Sequence, residues 1–90
     1  MAARQIFYKG RVQGVGFRYS VKQIAMGYDV AGWIRNLPDG RVELQVKGET
    51  DEVNDFLEAI RTSHLASHIT NEEPHALPDI PGVRGFEIRQ

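Results

Sequence analysis

Gly14, Gly16 and Arg18 stand close together in the stretch Gly10-Arg11-Val12-Gln13-Gly14-Val15-Gly16-Phe17-Arg18, between a strand-like run and a helix-like run. Glycine reaches backbone angles of positive φ that other residues resist. A loop built on Gly14 and Gly16 can therefore turn its amide hydrogens toward one point and cradle an anion. The helix that follows offers the positive end of its dipole to the same place. Arg18, in the first turn of that helix, adds a permanent charge carried on a planar fork of donors. Backbone amides, a helix dipole and a guanidinium converging on one spot suit a phosphate group, bound through the N–H groups of Gly14, Val15, Gly16, Phe17 and Arg18. The pattern is neither common nucleotide fingerprint: Tyr19 fills the third glycine position of GxGxxG, and no Gly-Lys-Ser/Thr follows. Taken alone, a two-glycine loop is more often a tight connection, and a lone arginine more often a member of a weak surface ion pair.

The elements that must position these residues are legible from periodicity. Arg4 to Val12 predicts a strand with Ile6, Tyr8 and Val12 on one parity. Phe17, Val21, Ile24, Ala25 and Tyr28 recur at helical spacing, with Gly27 as the expected stop. Asp29 to Leu37 predicts a second strand, and Leu37-Pro38-Asp39-Gly40 a turn in which Pro38 presets φ. Arg41 to Lys47 alternates Val42, Leu44 and Val46 with polar residues, which predicts one buried face and one wet face. Thr50 is the expected cap of a second helix, with Asp51 and Glu52 in its first turn and Val53, Phe56, Leu57 and Ile60 as its apolar stripe. Leu65 to Ile69 reads as a short, weakly patterned strand, and Glu72 to Pro81, with three prolines, as a loop. Gly85 to Arg89 closes the chain as a last strand. The order strand, helix, strand, strand, helix, strand predicts an α+β, ferredoxin-like α/β sandwich (βαββαβ). Its sheet is antiparallel, with four to five strands and two helices on one face.

Ninety residues predict one domain, residues 1–90. The net charge of −1 argues against broad binding to nucleic acid or acidic membranes. The absence of cysteine excludes disulfides and thiolate chemistry. No apolar run approaches ~20 residues and the N-terminus has no signal-like apolar stretch, so a cytoplasmic protein is expected. His64 and His68 lie four apart but have no evident third ligand, so a solvated or capping role is expected rather than a metal site. Phe7 and Tyr8 could stack bases on a sheet, but Arg41 to Lys47 lacks the aromatic residue that an RNA-recognition surface would carry there. Trp33 is expected in the core.

The stretch Gly10 to Arg18 resembles the first signature of the acylphosphatase family, glycine-x-valine-glutamine-glycine-valine-x-phenylalanine-arginine, with every fixed position filled. Gly32-Trp33-Ile34-Arg35-Asn36-Leu37-Pro38-Asp39-Gly40 resembles the family's second signature. The resemblance is strong to about Ile60 and looser beyond, where Thr62-Ser63-His64 replaces the glycine-proline step that members often carry. It implies the same ferredoxin-like fold and hydrolysis of small acyl phosphates to a carboxylate and inorganic phosphate. It also implies a phosphate-binding arginine, Arg18, and a water-positioning asparagine, Asn36, with no metal or other cofactor. The side chain of Asn36 suits that role, because an amide offers one acceptor and one donor but is no base at neutral pH. The substrate expected is a small-molecule acyl phosphate, handled by a monomer with no nucleic-acid or membrane partner. Similar domains open larger carbamoyl-transfer proteins, so an anion-binding or protein-docking module is the alternative from another class.

Overall fold

The computed structural model describes residues 1–90. Its elements are β1 (Ala2–Gly10), α1 (Phe17–Ala25), β2 (Val30–Asn36), β3 (Val42–Gly48), α2 (Thr50–Arg61), a short 3-10 helix (His64–His68), β4 (Ile69–Leu77) and β5 (Phe86–Ile88). The five strands form one sheet in the order β4-β1-β3-β2-β5. All pairings are antiparallel except that of β5, which runs parallel to β2 and makes the sheet mixed.

Alternation in the strands and the 3.6-residue stripes of the helices meet in one core. Ile6 and Tyr8 of β1, Ile34 of β2, and Val42, Leu44 and Val46 of β3 are buried beneath Phe17 and Val21 of α1 and Val53, Phe56 and Ile60 of α2. Full burial of each such side chain contributes roughly 1.5–3 kcal/mol relative to exposure. Tyr8 stacks obliquely on Phe17 at 5.4 Å between ring centres, which fixes the start of α1 over the end of β1. At Gly32 a side chain would collide with the Gln45 carbonyl oxygen 2.0 Å away, so only glycine lets β2 approach β3 at that point.

Several local expectations are corrected. Gly27 does not terminate α1 in a left-handed conformation; Met26 is the cap, and Gly27 N–H donates to the Ile24 carbonyl at 3.0 Å within the winding-down turn. Thr50 is the first helical residue of α2 rather than its cap, which is Glu49. Leu65 to His68 belongs to the 3-10 helix rather than to a strand. The predicted loop from Glu72 is instead strand as far as Leu77, paired with β1. Its alternation is weak because β4 is an edge strand with mostly exposed side chains. Pro74 is tolerated there because an edge position need not donate to a ladder.

The second face of the sheet also differs from the wet surface that β3 predicts. The segment after β4 folds back over it, and Ile80 and Val83 bury Ala3 and Trp33 in a small second cluster. Trp33 is therefore buried as expected, but outside the main core. Glu43, on this face, is only 4% exposed. One carboxylate oxygen accepts from Gln5 Nε2 at 2.7 Å and Gln45 Nε2 at 3.0 Å, and the other from Arg35 Nε at 2.9 Å and a terminal Arg35 nitrogen at 2.8 Å. Burial by itself pushes the Glu43 carboxyl up. Hydrogen bonds from Gln5, Gln45 and Arg35, with the guanidinium charge, outweigh it and hold the group below the usual glutamate range.

A carboxyl depressed in the folded state stabilises the fold above its unfolded pKa, about 4.3, and loses that contribution as pH falls through the folded value. Glu43→Gln is expected to cost about 1–3 kcal/mol at pH 7. It should also shrink the stability lost between pH 5 and pH 2, read by urea unfolding of both proteins across that range. Equal acid sensitivity in the two proteins would contradict this assignment.

Candidate active site

The connection from β1 to α1 is built on two left-handed glycines, Gly14 at φ 76° and Gly16 at φ 74°. Nothing lies within 4 Å of where a side chain at either would begin, so backbone conformation rather than crowding selects glycine. Gly16 is the N-cap of α1 and supplies no side-chain cap, and the first turn holds no acidic residue. The first turn of α2 differs, because it carries Asp51 and Glu52 against its own dipole. No backbone N–H group of residues 14 to 18 donates to another group of the protein; the first intrahelical bond is from Ser20 N–H to the Gly16 carbonyl at 3.0 Å.

Sheet order brings Asn36 to this loop. Tyr8 of β1 and Asn36 of β2 both pair with Val42 of β3, so they lie level across the sheet with β3 between them. A cleft of about 180 Å³ opens there, lined by Val12, Gly14, Gly16, Phe17, Arg18, Tyr19, Asn36 and Ile88. That is roughly six times the volume of a water in the liquid, enough for a tetrahedral oxyanion with a water beside it. Of the residues that the sequence nominates, Gly14, Gly16, Phe17, Arg18 and Asn36 line this cleft; Val15, between the glycines, does not. A wider depression of about 480 Å³ between Lys9, Asp39, Arg41 and Glu73 is poorly suited to an anion. It contains two carboxylates, and Arg41 is already bound to Asp39 at 2.8 Å.

Two side chains at the cleft have unspent polar capacity. Arg18 is half-buried and has no carboxylate partner; one terminal nitrogen donates to the Arg89 carbonyl at 3.3 Å. The Oδ1 atom of Asn36 is buried and accepts no hydrogen bond from the protein. A buried acceptor left unpaired costs about 1–3 kcal/mol, and such an exception is commonly a place kept for a water or a ligand.

Gln13 had no assigned part in the sequence reading, although it lies inside the first signature. Its Nε2 donates to the Leu37 carbonyl at 2.8 Å and to the Arg41 carbonyl at 2.9 Å, which pins the glycine loop to the β2–β3 turn beside Asn36. The available signal was a long amide side chain flanked by glycines, too general to name a partner. Arg89 is the other residue that sequence reasoning missed. Its N–H donates to the Ile34 carbonyl at 2.8 Å, so its own carbonyl reaches Arg18.

The family model of acylphosphatases matches residues 4–88. The chain belongs to the acylphosphatase family. An acylphosphatase from Bacillus pumilus is 44% identical over 80 residues, which cover 89% of each chain. One from Methanospirillum hungatei is 53% identical over 81 residues, 90% of this chain and 89% of that one. The crystal structure of acylphosphatase from Bacillus subtilis superposes with a TM-score of 0.89 at 36% identity, covering 100% of both chains. This acylphosphatase is thus a hydrolase with the ferredoxin-like fold. No helix in it is long and apolar enough to cross a membrane.

Proposed function

We propose that this acylphosphatase cleaves the carboxyl–phosphate bond of small acyl phosphates. In this reading the amides of Gly14, Val15, Gly16, Phe17 and Arg18 and the Arg18 guanidinium hold the phosphoryl group, and Asn36 holds the attacking water. The observation that carries the reading is the meeting of unused backbone donors, a guanidinium without a carboxylate partner and an unsatisfied buried acceptor around one cleft.

The water oxygen bonds to phosphorus as the bond from phosphorus to the carboxyl oxygen breaks. The electron pair of that bond leaves on the carboxylate, a weak base that departs without being protonated. Charge gathers on the phosphoryl oxygens in the in-line transition state. Donors fixed in advance stabilise it without the reorganisation that water would need. Asn36 Oδ1 accepts one hydrogen of the water and so aims its oxygen at phosphorus. The amide is too weak a base to keep a proton, so the second one passes to a phosphoryl oxygen of the substrate. The products are the carboxylate and dihydrogen phosphate, and atoms and charge balance. The same reading takes residues 1–90 as one domain, acting as a cytoplasmic monomer on a small molecule and needing neither nucleic acid nor membrane.

Incubated with benzoyl phosphate, the protein is expected to release benzoate and inorganic phosphate in equal amounts, with added phosphate acting as a competitive inhibitor. A folded protein that leaves benzoyl phosphate at its uncatalysed rate would overturn the reading.

A further inference from the structure

Burial leaves a small set of large apolar side chains in water: Met1, Val15, Tyr19, Met26 and Ile88. Val15 stands in the glycine loop, while Tyr19 and Ile88 line the cleft itself. Packing does not explain the placement of these two. Tyr19 is two residues beyond the buried Phe17, about 200° around α1 and so turned from the core, and it is 62% exposed. Ile88 shares the parity of Phe86 on β5. Phe86 packs on Phe56 at 5.8 Å between ring centres, whereas Ile88 remains 37% exposed beside the cleft. Exposed apolar surface gathered beside polar donors in one cleft marks a place where a ligand of mixed character is bound.

We propose that Tyr19 and Ile88 form the acyl subsite, and that they select aryl and bulky aliphatic acyl phosphates over acetyl phosphate. This rests on the phosphate being held by the Gly14–Arg18 loop. An acyl phosphate is polar at one end and variable at the other. With its phosphoryl group against the loop amides and Arg18, the acyl carbon chain has to leave through the mouth of the cleft. A ring or branched chain is there covered by Tyr19 on one element and Ile88 on another; a methyl group is too short to gain much from either. Withdrawing roughly 40 Å² of apolar surface from water at about 25 cal/mol per Å² corresponds to about fivefold in binding.

The test compares kcat/KM for benzoyl phosphate with that for acetyl phosphate in the wild type, Tyr19→Ala, Tyr19→Phe and Ile88→Thr. Met26→Ala, an exposed apolar residue not lining the cleft, is the control, and circular dichroism checks the fold of each protein. In Tyr19→Ala the benzoyl-to-acetyl ratio is expected to fall about fivefold, through a higher KM for benzoyl phosphate with kcat held. Ile88→Thr should move the ratio in the same direction, and Tyr19→Phe and Met26→Ala should keep it. An unchanged ratio in Tyr19→Ala, or equal losses on both substrates through kcat, overturns the acyl subsite and leaves the hydrolase reading intact. A wild type that hydrolyses neither substrate overturns both.

Discussion

Arg18→Ala is expected to lower kcat/KM for benzoyl phosphate by about a thousandfold or more while the protein stays folded. The guanidinium is the one full positive charge lining the cleft, and positioned cations at phosphoryl transfer sites supply factors of about 10³–10⁵. Loss of a single neutral donor costs about 10²–10³, so the charged fork stands at the upper end. Stability should change by no more than about 0.5 kcal/mol, because the side chain is half-buried and its one protein contact is the 3.3 Å bond to Arg89. Arg18→Lys separates charge from geometry. It keeps the charge but not the planar fork, so it should stay at least about tenfold below the wild type. Steady-state kinetics with thermal melts on the three proteins decides the matter. An alanine variant that retains most of its activity would remove Arg18 from the phosphate site.

Asn36→Ala should behave differently in two respects. Its loss should fall on kcat, by about a hundredfold, with KM for benzoyl phosphate nearly unchanged. A group that only aligns the attacking water contributes to orientation in the transition state and little to ground-state binding. Its stability should be equal to that of the wild type or higher. The Oδ1 atom is buried without a partner, so removing it relieves a desolvation cost rather than breaking a bond. Gain of stability with loss of turnover is what a site held in readiness for its ligand should show. A rise in KM with kcat intact would make Asn36 a substrate-binding group. A clear loss of stability would show that its amide holds the β2 terminus.

Much of the fold was legible because the relevant physics is local. Val42, Leu44 and Val46 alternate, and Val53, Phe56, Leu57 and Ile60 recur with the helix period; in both cases the neighbours along the chain define the buried face. β4 was illegible for the opposite reason. An edge strand exposed along most of its length carries no apolar alternation, and Pro74 inside it looks like a break unless its position in the sheet is known. Glu43 likewise reads as a solvated strand residue until Gln5, Gln45 and Arg35 surround it and the chain from Ile80 to Val83 covers part of the same face.

The same division holds at the site. The sequence alone determined the glycine loop, the arginine in the first helical turn, the asparagine at the end of a strand and the family to which these belong. Positive φ is a property of single residues, and a helix dipole needs only the few residues that follow. Only the tertiary structure decided that Asn36 faces the loop, that its acceptor is unsatisfied, and that Gln13 and Arg89 hold the loop and Arg18 in place. Those facts depend on β3 lying between β1 and β2 and on β5 closing beside β2. Such adjacency is set by which distant surfaces bury one another, and no window along the chain contains it.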